Sequence, residues 1–193
     1  MLKWEGEDLT LDPILLTGHY DVVPVRANAN EIWKEKPFSG KIDSDYVWGR
    51  GALDDKSGVI AIMEAVGYLI KNDFSPKRTV YLSFGHDEEI GGRRGAAKVT
   101  EYLIGKGINL EWTLDEGSFL LENIIPGVNK AVAVINVAEK GSLTIQVIGK
   151  SKGGHSSMPE SNSSVGYLAE ALIKLEENPL PGKLDGISLR LFD

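Results

Sequence analysis

The sequence contains no cysteine, three histidines among 193 residues, and no apolar stretch as long as a membrane span. Without cysteine, disulfide bonds and thiolate zinc sites are excluded, so any metal must be held by histidine, aspartate and glutamate. A membrane-spanning helix needs roughly 20 consecutive apolar residues. Residues 1–13 lack the basic segment and apolar core of a secretory signal. These absences favour a cytoplasmic protein without a membrane partner.

Basic residues are outnumbered, since 21 Lys and Arg stand against 28 Asp and Glu, for a formal net charge of −7. Nucleic acids and anionic membranes select for basic surfaces, so we expect neither as a partner. The hydrophobic fraction of 42% and the charged fraction of 25% are typical of a globular protein. The acidic balance fits either a solvated acidic surface or a site built from carboxylates.

Strand and helix patterns alternate over the first two thirds of the chain. Short apolar runs predict strands at 14–16, 46–48, 80–84 and 111–114, and helical spacing predicts helices at about 56–71 and 93–106. Asp54 and Asp55 are candidate N-caps of the first helix. This order predicts an α/β fold with a mixed, largely parallel sheet and helices on both faces.

The pattern changes near residue 131. Two strands are predicted over 131–138 and 142–148, followed by a glycine-rich loop at 151–160 and a helix at about 163–177. A further apolar run starts at Ile187 and completes no element. We therefore expect a catalytic domain over 1–138 and a smaller α+β domain over 139–193, both incomplete.

Acidic and imidazole side chains follow all four strands of the first region. The groups are His19 with Asp21, Asp54 with Asp55, Asp87 with Glu88 and Glu89, and Asp115 with Glu116. In an open α/β sheet, ligands bind at the carboxyl edge, where these groups should meet. So many carboxylates would raise each other's pKa unless cations lay between them. Imidazole and carboxylate suit Zn²⁺, and two such ions about 3.5–4 Å apart serve hydrolysis.

Each group alone has a simpler explanation. His19 could be a hydrogen-bonded structural histidine, the pair at 54–55 a helix cap, and the groups at 87–89 and 115–116 solvated acidic turns. Gly49-Arg50-Gly51 could be a phosphate loop, but it lacks the spacing of the known phosphate-binding motifs. The combination of all four groups favours the metal site. If 88–89 were extended, one glutamate could bind metal while its neighbour faced the water.

Five segments, in order, resemble the co-catalytic zinc peptidase family that includes aminoacylases, Gly-Xaa carboxypeptidases, carboxypeptidase S and bacterial dipeptidases. They are residues 16–24, 49–58, 87–92, 114–117 and 153–159. The segment at 33–40 and the D-E-G form of the fourth motif are most similar to the carboxypeptidase S and Gly-Xaa carboxypeptidase branch. The resemblance implies a zinc-peptidase-like catalytic domain followed by a lid or dimerisation domain.

The resemblance also implies the metal ligands. His19 and Asp115 would bind one zinc ion, with Glu116 as the alternative to Asp115. Glu89 would bind a second zinc ion, and Asp54 would bridge the two. The peptide bond between Asp54 and the next residue would be cis.

Three further residues receive catalytic roles from the resemblance. Asp21 would hold the imidazole of His19, and Glu88 would be the general base that deprotonates a metal-activated water. His155 would reach the active site of a neighbouring subunit and stabilise the oxyanion, which implies a homodimer through the lid domain. The expected reaction is zinc-dependent hydrolysis of peptide or N-acyl-amino-acid amide bonds, of the carboxypeptidase, aminoacylase or dipeptidase type.

One feature of the family is missing. Its second zinc also takes a histidine far downstream, and no histidine follows His155. The alternative hypothesis is therefore a truncated, catalytically inactive fragment that folds or binds without cleaving.

Overall fold

A computed structural model describes residues 1–26, 32–117, 120–139, 141–158, 161, 163–183 and 189. The chain divides into two compact units, Met1–Gly117 and Ser118–Asp193. The predicted boundary between a catalytic domain and a lid domain at 138/139 stays a prediction.

The first unit is built on a four-stranded sheet with the order β1-β3-β2-β4. The strands are β1 (Leu2–Trp4), β2 (Ile14–His19), β3 (Val80–Gly85) and β4 (Trp112–Leu114). Strands β3 and β4 both run parallel to β2, whereas β1 runs antiparallel to β3. The predicted mixed, largely parallel sheet is therefore confirmed, and β1 is an edge strand that the sequence pattern did not reveal.

Two helices cover opposite faces of this sheet. Helix α1 (Lys56–Lys71) covers the face of the sheet to which a side chain at Gly18 would point, since a Cβ added to Gly18 would lie 3.3 Å from Val59 Cγ2. Helix α2 (Ala96–Gly105) packs Leu103 against Leu15 in the hydrophobic core. Positions 15 and 18 are three residues apart in one strand, so their side chains point to opposite faces. Within the described residues, no helix has the length and apolar composition to cross a membrane.

The strand order also places a crevice in the sheet. The connection from β2 to β3 runs in one direction across the sheet, and the connection from β3 to β4 runs in the other direction, past β2. Because both connections are expected to be right-handed, the chain leaves β2 toward one face of the sheet and leaves β3 toward the other. A crevice forms between the carboxyl ends of two such strands. His19 and Gly85 pair in the register at the ends of these strands. The crevice therefore lies between His19 and the acidic residues that follow β3.

Two local predictions for this unit were wrong. Residues 46–48 form no strand of the sheet, because Val47 makes a single bridge to Ile42. Asp54 is therefore delivered by the turn before α1 and not by a strand end. Glu88–Ile90 is one turn of 3₁₀ helix and not an extended segment, so the strand argument that sends Glu88 and Glu89 to opposite sides does not apply.

The second unit contains a two-stranded antiparallel sheet and one helix among its described residues. Strand β5 (Leu120–Leu121) pairs with β6 (Val132–Ala133), and α3 spans Ser164–Glu177 as predicted. Apart from β6, the strands predicted at 131–138 and 142–148 are absent from the described positions. Leu143 and Ile145 are 78% and 62% exposed, so their alternating pattern buries no face. The loop positions 159–160 and, apart from residue 189, the run from Ile187 lie outside the described residues.

Candidate metal centre

His19 is the last residue of β2, and its orientation is fixed through one ring nitrogen. The residue is 2% exposed. Its Nδ1 lies 3.2 Å from the main-chain oxygen of Asp21 and 3.3 Å from Asp21 Oδ1. In a neutral imidazole one nitrogen donates and the other accepts. With Nδ1–H donating to Asp21, the lone pair of Nε2 faces the crevice, as a metal ligand requires.

Three carboxylates surround Nε2 of His19. Asp54 Oδ1 lies at 3.0 Å, Glu116 Oε2 at 3.4 Å and Glu88 Oε2 at 3.8 Å. Two groups of residues could each hold a metal ion, because the donor atoms within each group lie within 4.8 Å of one another. The groups are His19 with Glu88 and Glu89, and His19 with Asp54 and Glu116. His19 belongs to both groups. The structure therefore gathers the predicted residues His19, Asp54, Glu88 and Glu89 at one place.

Asp115 lies beside this centre but in neither group. Its Oδ1 accepts the main-chain N–H of Glu116 at 2.9 Å, and it lines a small cavity together with His19 and Glu88. The resemblance implies Asp115 as a ligand, whereas the geometry brings Glu116 to the His19 ring.

Asp21 also fixes the turn that carries both glutamates. Its Oδ1 accepts the N–H of Glu88 at 3.2 Å, and its Oδ2 accepts the N–H of Glu89 at 3.1 Å. Burial alone would raise the pKa of Asp21, but the N–H groups of Glu89 and Glu88 favour the carboxylate and bring its pKa below the ordinary value. Glu89 Oε1 in turn accepts the N–H of Val23 at 3.1 Å. The loops after β2 and β3 are thus tied together.

The electrostatics of the centre show a shortage of positive charge. Burial opposes protonation of His19, but Glu116 and Glu88 outweigh it and raise the pKa of the imidazole. Burial raises the pKa of Glu88 and of Glu116, and proximity to His19 offsets only part of the rise. A divalent cation would relieve both effects, and one imidazole with several carboxylates is a donor set that suits Zn²⁺. The residues present therefore fit the expected metal.

Asp55 is a residue whose role the sequence interpretation missed. It occupies the N-cap position of α1, but its side chain makes no capping hydrogen bond. Instead Oδ2 accepts the main-chain N–H of His19 at 3.2 Å. The peptide bond between Asp54 and Asp55 is cis, as the resemblance implied.

His155 lies in the second unit, on an exposed part of the glycine-rich loop. Its Nδ1 lies 2.8 Å from Ser157 Oγ. The role of His155 at a neighbouring active site stays a prediction.

A buried histidine and several carboxylates at the carboxyl edge of a mostly parallel sheet define a class, that of α/β proteins with a candidate divalent-metal centre. Comparison with known sequences identifies the family. The sequence model of Peptidase family M20/M25/M40 matches residues 15–185. The chain belongs to this family, which confirms the resemblance found in its motifs.

Two curated relatives align with almost the whole chain. "Probable carboxypeptidase S-like 2" of Dictyostelium discoideum is 46% identical over 193 residues, which cover 99% of this chain and 37% of the relative. "N-fatty-acyl-amino acid synthase/hydrolase PM20D1" of Mus musculus is 41% identical over 186 residues, or 96% of this chain and 36% of the relative. The chain thus spans little more than a third of the length of these relatives.

Proposed function

We propose that this chain belongs to a zinc-dependent hydrolase that cleaves the amide bond of a small peptide or an N-acyl amino acid. The observation that carries the proposal is the convergence on His19 Nε2 of three carboxylate oxygens within 3.8 Å, from separate parts of the chain. Family membership and the names of the relatives, a carboxypeptidase S-like protein and an N-fatty-acyl-amino acid synthase/hydrolase, support the same reaction class.

The proposed ligands of two zinc ions are His19, Asp54, Glu89 and one carboxylate of the Asp115–Glu116 pair. When bound, the ions supply the Lewis acidity that polarises the scissile carbonyl and acidifies water. Separate Asp115→Asn and Glu116→Gln variants identify the fourth ligand. The variant of the ligand loses bound zinc by elemental analysis, and the other variant keeps it.

The proposed general base is Glu88. Its main-chain N–H is fixed by Asp21, and its carboxylate reaches the crevice while its side chain is 52% exposed, so water has access to it. The raised pKa of Glu88 brings the carboxylate nearer to the working range of a proton acceptor. Glu88 would take the proton of the attacking water and return it to the leaving nitrogen. Asp21 would keep Nδ1 of His19 protonated throughout.

The test of this role is Glu88→Gln in the full-length protein. We expect turnover to fall by roughly 10²–10⁴-fold, the usual contribution of a general base, while zinc content stays unchanged. Glu64→Gln on the exposed face of α1 is the matched control. Near-normal turnover would remove Glu88 from the mechanism, and loss of zinc would make it a ligand instead.

The domain predicted over residues 139–193 is proposed to act as a lid and to form a homodimer, with His155 as oxyanion donor to the partner's site. His155→Ala should then lower turnover with little change in zinc content, and a mixture of His155→Ala and Glu88→Gln subunits should recover part of the activity. Failure of that mixture to exceed either variant alone would contradict the exchange of His155 between subunits.

A second candidate is a catalytically inactive chain that folds or binds without cleaving. The family resemblance expects a second-zinc histidine downstream, and the three histidines of this sequence are His19, His86 and His155. Elemental analysis and a peptidase assay on the 193-residue chain separate the two candidates, because two zinc ions per chain together with turnover would refute the inactive form.

A further inference from the structure

We propose that Asp55 is a positioning residue for His19, and that its carboxylate holds the main chain at the end of β2 in a slot opened by Gly18 and Gly58. The consequence for metal binding rests on the proposed function, whereas the slot itself does not. Neither the family resemblance nor the names of the relatives assigns this role to Asp55.

The main-chain N–H of His19 lies beyond the reach of the sheet. Tyr20 donates its N–H to Gly85 of β3, so the N–H of His19, one residue earlier, points to the side of β4. The register between β2 and β4 ends at Leu16 and Leu114. Among the described residues, the N–H of His19 therefore has no strand partner, and a buried N–H without a partner is costly.

Asp55 supplies the missing acceptor from 36 residues away. Its Oδ2 lies 3.2 Å from the nitrogen of His19, and the residue is 6% exposed. Its side chain caps no N–H of its own helix, so the carboxylate is directed to the strand.

The slot exists because two glycines flank it. A Cβ at Gly18 would lie 2.5 Å from Asp55 Oδ2, and a Cβ at Gly58 would overlap Oδ1 and lie 3.0 Å from Cγ. Neither glycine has a positive φ, so space and not backbone conformation requires them. Glycine is unfavourable inside a strand or a helix. Glycine at these two positions therefore costs some stability, but it leaves room for the carboxylate of Asp55.

The arrangement holds His19 from two directions. Asp55 fixes its main-chain nitrogen, and Asp21 fixes Nδ1 of its ring. Together they determine where Nε2 points, and partners of this kind tune a metal ligand through its orientation.

The experiment compares Asp55→Ala, Asp55→Asn, Gly58→Ala and Gly67→Ala in the full-length protein. Gly67 is the matched control, since it lies in the same helix and has nothing within 4 Å of an added Cβ. We measure the zinc dissociation constant by chelator competition and the amide exchange of His19 in the metal-free protein. Asp55→Ala and Gly58→Ala should weaken zinc binding by roughly 10–100-fold and speed the exchange of the His19 amide. Asp55→Asn should keep most of the affinity, because its amide oxygen still accepts, and Gly67→Ala should match the wild type.

Two results would overturn the proposal. Equal zinc affinities for Gly58→Ala and Gly67→Ala would show that the slot does not act on the site. An Asp55→Asn variant as weak as Asp55→Ala would show that charge, and not the hydrogen bond to His19, matters. If Asp55→Ala does not fold, the comparison of Gly58→Ala with Gly67→Ala and the zinc affinity of Asp55→Asn decide whether the proposal stands. If the wild type takes up no zinc, the proposed function fails, and amide exchange of His19 alone still supports or overturns the slot.

Discussion

Replacing Asp21 with alanine should separate the loop after β2 from the loop after β3. Its carboxylate makes two contacts with main-chain N–H groups, those of Glu88 at 3.2 Å and Glu89 at 3.1 Å, and a third with Nδ1 of His19 at 3.3 Å. All three contacts are lost at once in Asp21→Ala. The variant therefore tests whether the two loops act as one unit.

The structure sets the size of the effect. A hydrogen bond to a charged group contributes about 1.5–3 kcal/mol. Water can replace the exposed contact at Glu88 more easily than the half-buried contact at Glu89, so we expect a loss of about 2–4 kcal/mol in the free energy of unfolding of the metal-free protein. Zinc affinity should fall by about tenfold, the lower end for such partners, because the main-chain oxygen of Asp21 still accepts from Nδ1 of His19 at 3.2 Å.

Urea unfolding of the metal-free protein measures the free energy of unfolding, and chelator competition measures the affinity for zinc. Asp21→Asn should fall between wild type and Asp21→Ala, because one of its two acceptor oxygens remains. The lowered pKa of Asp21 means that its stabilising effect is present above about pH 4, the ordinary range of aspartate, and is lost as the pH falls through the folded-state pKa. An Asp21→Ala protein within about 0.5 kcal/mol of wild type, the range of ordinary surface changes, would refute the reasoning.

Three further predictions follow from other parts of the chain. Acidification should weaken zinc binding as the pH falls through the raised pKa of His19, since ligands must lose protons before they bind metal; a pH-independent dissociation constant would contradict this. Leu103→Ala should lower the free energy of unfolding by about 2–5 kcal/mol because Leu103 is 4% exposed in the core, whereas Ile104→Ala at 72% exposure should change it little in the same urea titration. Ser163→Ala should lower the stability of α3 by about 1 kcal/mol, since Ser163 Oγ caps the N–H of Gly166 at 3.1 Å; circular dichroism should show the loss, and Ser163→Asp should not.

The parts of the fold that the sequence predicted are those in which one segment carries its own pattern. Helices α1 and α3 follow apolar spacing that repeats over four turns, and β2 and β3 are apolar runs between turn residues. The three-residue β1 carries no such pattern, because an edge strand of that length is defined by its partner. Its existence depends on β3 and is invisible in its own residues.

The alternation at 142–148 failed as a prediction for a related reason. Alternating apolar residues make a half-buried strand possible, but a strand also needs a partner backbone and a surface to cover. None of the described residues at 142–148 pairs with another strand, and the exposure of Leu143 and Ile145 shows that these side chains cover no surface.

The candidate site was predictable in its composition but not in its detail. The grouping of His19 with Glu88 and Glu89 followed from the order of strands and acidic motifs, whereas Asp54 reaches the same place from a turn and not from the strand end that the pattern predicted. The position of Glu116 relative to Asp115 depends on the path of the backbone just after β4, which residue type does not encode. Asp55 was assigned to helix capping because that is the local use of an aspartate at a helix start, and its actual partner lies 36 residues away.

The long separations within the candidate site make binding of the proposed zinc ions depend on folding. His19 and Asp54 are 35 residues apart, and Asp21 and Glu89 are 68 residues apart. The donor atoms are therefore not assembled in the unfolded chain, which should bind the ion only weakly. An ion that binds the native state alone adds about 1.4 kcal/mol of stability for each tenfold rise in its free concentration above the dissociation constant. If the proposed zinc ions bind, zinc in the growth medium should rescue a destabilised variant of this protein, and a chelator should expose folding defects that ample zinc conceals.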